Sequence, residues 1–166
     1  CLEQTKNIAV IHRQLRAGLS VAVADVLWHG ADIQQHEAIT LYTYALQLYH
    51  DSCGSNSVEM GAAYLGIGRI WTSRGDHNSA LRYYRAAATV SRTQFGKNHD
   101  VSLHVRVQVA QALRGIGENR KALEIVQDVL ERVKIQEKKR KEMKKRRERD
   151  RNKGVVVVEA STIGGV

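Results

Sequence analysis

Seven histidines and two cysteines are the residues of this 166-residue chain that could carry metal or acid–base chemistry. His99 and His104 are five apart, and His36 and His50 are fourteen apart. A helix-borne zinc pair needs two histidines one turn apart on one face, and a structural zinc needs a clustered Cys/His set. Neither spacing occurs, so the histidines read as loop, cap or surface residues. Cys53 follows His50 and Asp51 within one turn. A thiol beside an imidazole can become a reactive thiolate, but no oxyanion-stabilising loop accompanies this one. It reads as a lone cysteine at a helix end. Gly66-Ile67-Gly68 is not a phosphate loop, because no strand signal precedes it and its neighbours have helical spacing. The chain is therefore expected to be no enzyme and to hold no catalytic residue, cofactor or metal.

Electrostatics is the second chemistry on offer. The formal charge is +9, but residues 134–153 hold twelve Lys and Arg against four Asp and Glu, a net of +8. The rest of the chain is near neutral. Segment 135–153 is rich in Lys, Glu and Arg and is expected to be a charged helix, with Glu137–Lys141 and Glu142–Arg146 pairs one turn apart. Such a helix would span about 30 Å. Ile135 and Met143 are too few for a coiled-coil seam. Lys144, Lys145, Arg146 and Arg147 form the run that an import receptor or a phosphate backbone could recognise. No aromatic residue interleaves them, so base stacking is unsupported. A solvated helix is the plainer alternative.

Neither feature says what positions such groups; a repeat does. Ala38, Ala80 and Ala122 recur every 42 residues, followed by Ile39, Leu81 and Leu123. Tyr42 and Tyr84 are matched by Val126, Ala45 and Ala87 by Val129, and Gly75 by Gly117. A fixed period of this length signals stacked helix pairs. Apolar spacing gives helices over 59–73 and 78–92, again over 101–114 and 120–134, and earlier over 19–30 and 36–50. Residues 101–114, expected to bury Val101, Val105, Val109, Ala110 and Leu113, also alternate like a strand around Val105, Val107 and Val109, and their place in the repeat decides for helix. Arg74-Gly75-Asp76 reads as stop, turn and N-cap. In 19–30 strict periodicity puts Asp25 where Ile67 and Val109 are buried. A slip that turns Val23, Leu27 and Trp28 inward is expected instead. Small residues at Gly68 or Ala110 and at Ala80 or Ala122 would let paired helices approach to about 8–10 Å.

Tyr64, Ile67, Gly68, Trp71, Gly75, Ala80, Tyr84 and Ala87 resemble the tetratricopeptide-repeat signature in type and spacing. The next copy departs from it at Arg106. The 42-residue period, longer than the usual repeat, is similar to the kinesin-light-chain variant, whose pairs are separated by a longer loop. Gly96, Lys97, Asn98 and His99 match that loop, with Asp100 where proline is typical. The resemblance implies an all-α solenoid of stacked antiparallel helix pairs, a superhelix followed by the C-terminal charged helix. It also implies a scaffold or adaptor that binds a protein or peptide on its concave surface. By the family's inward positions, the partner-binding residues are Leu65, Arg69 and Thr72 in one repeat and His104, Gln111 and Arg114 in the next. The partner would be acidic if these arginines matter. The alternative function is a nuclear or nucleic-acid-associated adaptor acting through residues 134–153.

The expected organisation is 1–18 as the end of a preceding repeat helix and its loop, and 19–134 as the repeat domain (about 19–50, 59–92 and 101–134). Residues 135–153 form the basic helix and 154–166 a flexible tail, where four valines favour strand over helix. Cys1 at the start, without Met, suggests a piece of a longer protein. No apolar run approaches the length of a membrane span. Two distant cysteines favour a reducing, cytoplasmic setting, with the nucleus as the alternative.

Overall fold

A computed structural model describes residues 2–53 and 57–162. Among the described residues there are six helices: α1 (Leu2–Leu27), α2 (Asp32–Cys53), α3 (Val58–Ser73), α4 (His77–Phe95), α5 (Asp100–Gly115) and α6 (Asn119–Thr162). The chain divides into two compact units, Cys1–Gln127 and Asp128–Val166. In the first, α1 packs on α2 and α3 on α4, while α2–α3 and α4–α5 contacts join successive pairs. Gly54-Ser55-Asn56, one period before Gly96-Lys97-Asn98, lies outside the described residues.

Each boundary has a local cause. Gly75 and Gly117 adopt φ of +77° and +92°, the left-handed geometry that stops a helix at little steric cost. The Glu118 amide then donates back to the Leu113 carbonyl at 2.9 Å. Asp76 caps α4 by accepting from the Ser79 amide at 3.0 Å and from its hydroxyl at 2.6 Å. These bonds hold the Asp76 carboxyl below its ordinary range. The three-residue turn 74–76 is thus the stop, turn and cap read from sequence. His99 caps α5, its Nδ1 accepting from the Val101 amide at 3.3 Å, and its ring stacks on Phe95.

The core is three patches in series along the stack. Ala17, Ala45, Tyr49 and Met60 form the first. Ala24, Ala38, Tyr42, Ala63, Ile67 and Ile70 form the second. The third gathers Ala80, Leu81, Tyr84, Val109, Ala110, Ala112, Leu113 and Ala122. Each patch spans successive helices, which is how a one-dimensional repeat distributes its stability. Small residues set the spacing. A Cβ at Gly66 would lie 2.3 Å from the Tyr42 ring, and one at Gly68 2.5 Å from the Tyr84 ring.

Three expectations need correction. The separate end-of-repeat helix and loop at 1–18 is replaced by one continuous helix, Leu2–Leu27. Gly18 does not break it, because apolar spacing continues through it from Ile8 to Val26, and even a Cβ there would meet only the Tyr49 hydroxyl, at an ordinary 3.7 Å. Val23 is 41% exposed rather than inward; Ala24 takes the buried position, with Leu27 and Trp28 half-buried beside it. Val101 is also exposed, since it sits in the first turn of α5, and Ser102 and Leu103 are buried instead. The helical reading of 101–114 holds, with Val105 and Val109 buried and Val107 half-buried.

The second unit contains the remainder of α6. The helix takes in 154–162, whose valines favour strand by propensity; extending an existing helix is easier than starting a new element. Residues 163–166 lie outside the described residues.

Candidate functional site

The first helices of the second and third pairs, α3 and α5, present one polar face. Leu65, Arg69 and Thr72 stand at helical spacing on α3, and His104, Gln111 and Arg114 on α5. Arg69, His104, Gln111 and Arg114 are exposed. Leu65 and Thr72 are half-buried and belong more to the framework. Leu65 packs against the third core patch. The Thr72 hydroxyl bonds the Gly68 carbonyl at 2.9 Å and the Tyr84 hydroxyl at 3.1 Å. Periodicity makes Arg69 and Gln111 equivalent, and likewise Thr72 and Arg114, so one face is written twice with different side chains.

Gln111 and Arg114 come together at the rim of an open groove of about 480 Å³ between α5 and α6. Its floor is apolar: Val107, Ala110, Ala122, Leu123 and Val126. Sequence reasoning matched Ala122, Leu123 and Val126 to Ala80, Leu81 and Tyr84 and did not find this floor. The same periodicity carries the signal that finds it. Leu81 is buried beneath α5, whereas Leu123 is 57% exposed.

The paired tyrosines are the frame that holds this face. Tyr42 and Tyr84 are fully buried. Each hydroxyl is satisfied by a first-helix partner, Asp25 for Tyr42 and Thr72 for Tyr84. Asp25, out of place in the strict repeat, is thus explained as the acceptor for a buried phenol. Burial pushes both phenols above their ordinary value, and at Tyr42 the Asp25 carboxylate adds to the shift. Tyr44 is bonded by Arg16 at 2.7 Å, and Tyr83 is half-buried beside Tyr64. Arg74 spans two pairs, donating to Gln35 at 3.2 Å and to the Asp32 carbonyl at 3.0 Å.

The chemistry-bearing residues stay apart. His104 is exposed while His99 is a cap. His50 lies 3.6 Å from Asp51, and Cys53 closes α2 with its side chain outside the described residues. Among the described residues no three His, Cys, Asp or Glu gather as a metal site, and no helix is long and apolar enough to cross a membrane.

In the second unit, Lys144, Lys145, Arg146 and Arg147 are exposed. Being consecutive, they fan out around the helix at about 100° per residue. Lys134, Lys138, Lys141 and Lys145 share one stripe, with Glu137 and Glu142 alongside.

Residues 59–134 match the tetratricopeptide repeat family. No curated protein matches the chain. Among solved structures, BtubC (BKLC) from P. vanneervenii is similar, with a TM-score of 0.65 and 16% identity over 72% of this chain and 47% of that one. The Podosopora anserina "putative kinesin light chain nearly identical TPR-like repeats" gives a TM-score of 0.58 and 16% identity, over 70% of this chain and 54% of that one. The chain thus spans about half the length of these neighbours.

Proposed function

We propose that this chain, whose residues 59–134 match the tetratricopeptide repeat family and whose fold resembles kinesin-light-chain-like repeats, is an adaptor that captures a peptide or partner protein on the face shared by α3 and α5. Tetratricopeptide repeats generally mediate protein–protein interaction. The observation that carries the finer reading is the exposure of Arg69, His104, Gln111 and Arg114 on helices whose other faces are buried. A rigid frame that holds polar groups ready lowers the ordering cost of binding. Two arginines among the four suit an acidic segment, since guanidinium forks match carboxylates. Binding would proceed without catalysis, in the cytoplasm.

The test is Arg69→Glu combined with Arg114→Glu. Partners are captured from extract on the wild-type chain, identified, and titrated against both proteins. Affinity should fall about thirtyfold, roughly 2 kcal/mol, with helical content unchanged. Equal affinity would remove this face from the account.

The basic stripe of the second unit favours a second reading, contact with phosphates by residues 134–153. RNA or DNA binding should then weaken steeply with salt and disappear when 134–153 is deleted. Absence of binding at low salt would eliminate it.

A further inference from the structure

The charges of the second unit recur in a pattern that a merely solvated helix does not need. Lys138-Lys139-Arg140 is followed, seven residues on, by Lys145-Arg146-Arg147. Both triplets lie in α6, and all six side chains are exposed. Seven residues are two turns of helix to within about 20°. The second triplet therefore stands almost directly over the first, about 10.5 Å along the axis. Three consecutive residues span about 200° of a helix circumference. Together the triplets make one cationic arc that wraps more than half of the helix. Arg149 extends the edge formed by Lys138 and Lys145, and Arg151 the edge formed by Arg140 and Arg147; both are exposed.

The acids are placed with respect to this arc. Neither edge carries one. Glu137 and Glu148 stand on the opposite side of the helix, with Lys141 and Lys144. Glu142 and Asp150 lie between the two edges, as do Lys139 and Arg146. A flat anionic surface touches a helix along one stripe and would leave one edge of such an arc unused. A trough with two anionic walls engages both. The major groove of B-form DNA is about 12 Å wide, and a helix with its side chains is about 10–12 Å across. Its rims are phosphates, and its floor presents amino donors as well as acceptors. Acids between the edges meet donors on that floor, whereas on an edge they would meet phosphate. The major groove of A-form RNA is too deep and narrow for side chains to read. Single strands are gripped by stacking on aromatic side chains, and residues 134–153 contain none.

We propose that residues 138–151 bind in the major groove of duplex DNA, the two edges of the arc lying on the phosphates of opposite strands and Lys139 and Arg146 over the base edges between them. The inference rests on the phosphate reading of 134–153 given above, and narrows it to one polymer and one groove. Most of the affinity is electrostatic and falls with salt. Lys139 and Arg146 favour guanine, whose O6 and N7 both accept.

Fluorescence anisotropy of the full chain over a salt series is the test, with a DNA duplex, its separate strands and an RNA duplex as probes. The DNA duplex should bind most tightly. Arg140→Gln/Arg147→Gln removes two cations from one edge and should lower the slope of log affinity against log salt by about two. Lys141→Gln/Lys144→Gln removes the same charge from the outward side and should leave that slope unchanged. Glutamine keeps helix propensity, and far-ultraviolet dichroism checks it; Arg147→Gln alone, with half the slope change, replaces the edge variant if the helical signal drops. Dimethyl sulfate methylates guanine N7 in the major groove and adenine N3 in the minor groove, and the bound protein should block guanine alone. Equal slope changes from the two double variants would overturn the groove and leave phosphate contact standing. So would binding of the single strands or the RNA duplex as tight as that of the DNA duplex, or protection of adenine N3. Displacement of the duplex by polyglutamate of equal charge would overturn it in favour of an acidic polypeptide. Absence of binding to every nucleic acid at low salt would overturn both the groove and the phosphate reading beneath it.

Discussion

Replacing Tyr84 with alanine should cost about 3–5 kcal/mol, the range for deleting a buried aromatic ring. A domain of this size has about 5–15 kcal/mol in total, so the variant would be close to unfolding at room temperature. The ring carries the effect. It lies against Gly68, in the patch where α4 meets α5, and its loss leaves a cavity that neither rigid helix can collapse into. The hydroxyl matters less. Tyr84→Phe removes one bond to Thr72, whose own hydroxyl still reaches the Gly68 carbonyl, and should cost about 1 kcal/mol. Urea denaturation of the two variants measures the gap between ring and hydroxyl. Equal losses would assign the stability to the bond rather than to packing.

The second large effect is expected at Gly66. A Cβ there meets the fully buried Tyr42 ring at 2.3 Å, across the junction between the first two pairs. Leucine at 66 should overpack this junction by about 3 kcal/mol. Gly61 sits in the same helix but meets only Val90 Cγ1, at 3.5 Å, an ordinary contact. Gly61→Ala should therefore stabilise by about 0.5–1 kcal/mol through helix propensity. Opposite signs from two glycines five residues apart would show that helix spacing, not glycine itself, sets the outcome. Thermal melts of both variants decide it; a Gly66→Leu protein as stable as wild type would mean that the pairs separate freely.

Much of this was legible because a repeat writes the same packing more than once. Ala38, Ala80 and Ala122 recur together with the residues around them, so two copies could correct a misreading of one. That is how 101–114 was assigned to helix against its local alternation. Legibility failed where the pattern occurs once. In α1 the register drifts from the strict period, and a stripe from Ile8 to Val26 was divided at Gly18 because nothing downstream repeats it. Exposure was harder to read than structure. Leu123 and Leu81 are the same residue at equivalent positions, yet one is exposed and the other buried. The difference lies in whether a helix follows and covers it, which no local window contains. The candidate face was legible only by analogy with the family, and Leu65 and Thr72 belong more to its frame than to its surface.

The central claim is that a partner lies along the polar face of α3 and α5. A photo-crosslinking side chain placed at Arg69, at Gln111 or at Arg85 on α4 tests it, with the captured partner present. Adducts should form from 69 and 111 and be absent from 85; adducts from 85 alone would contradict the claim.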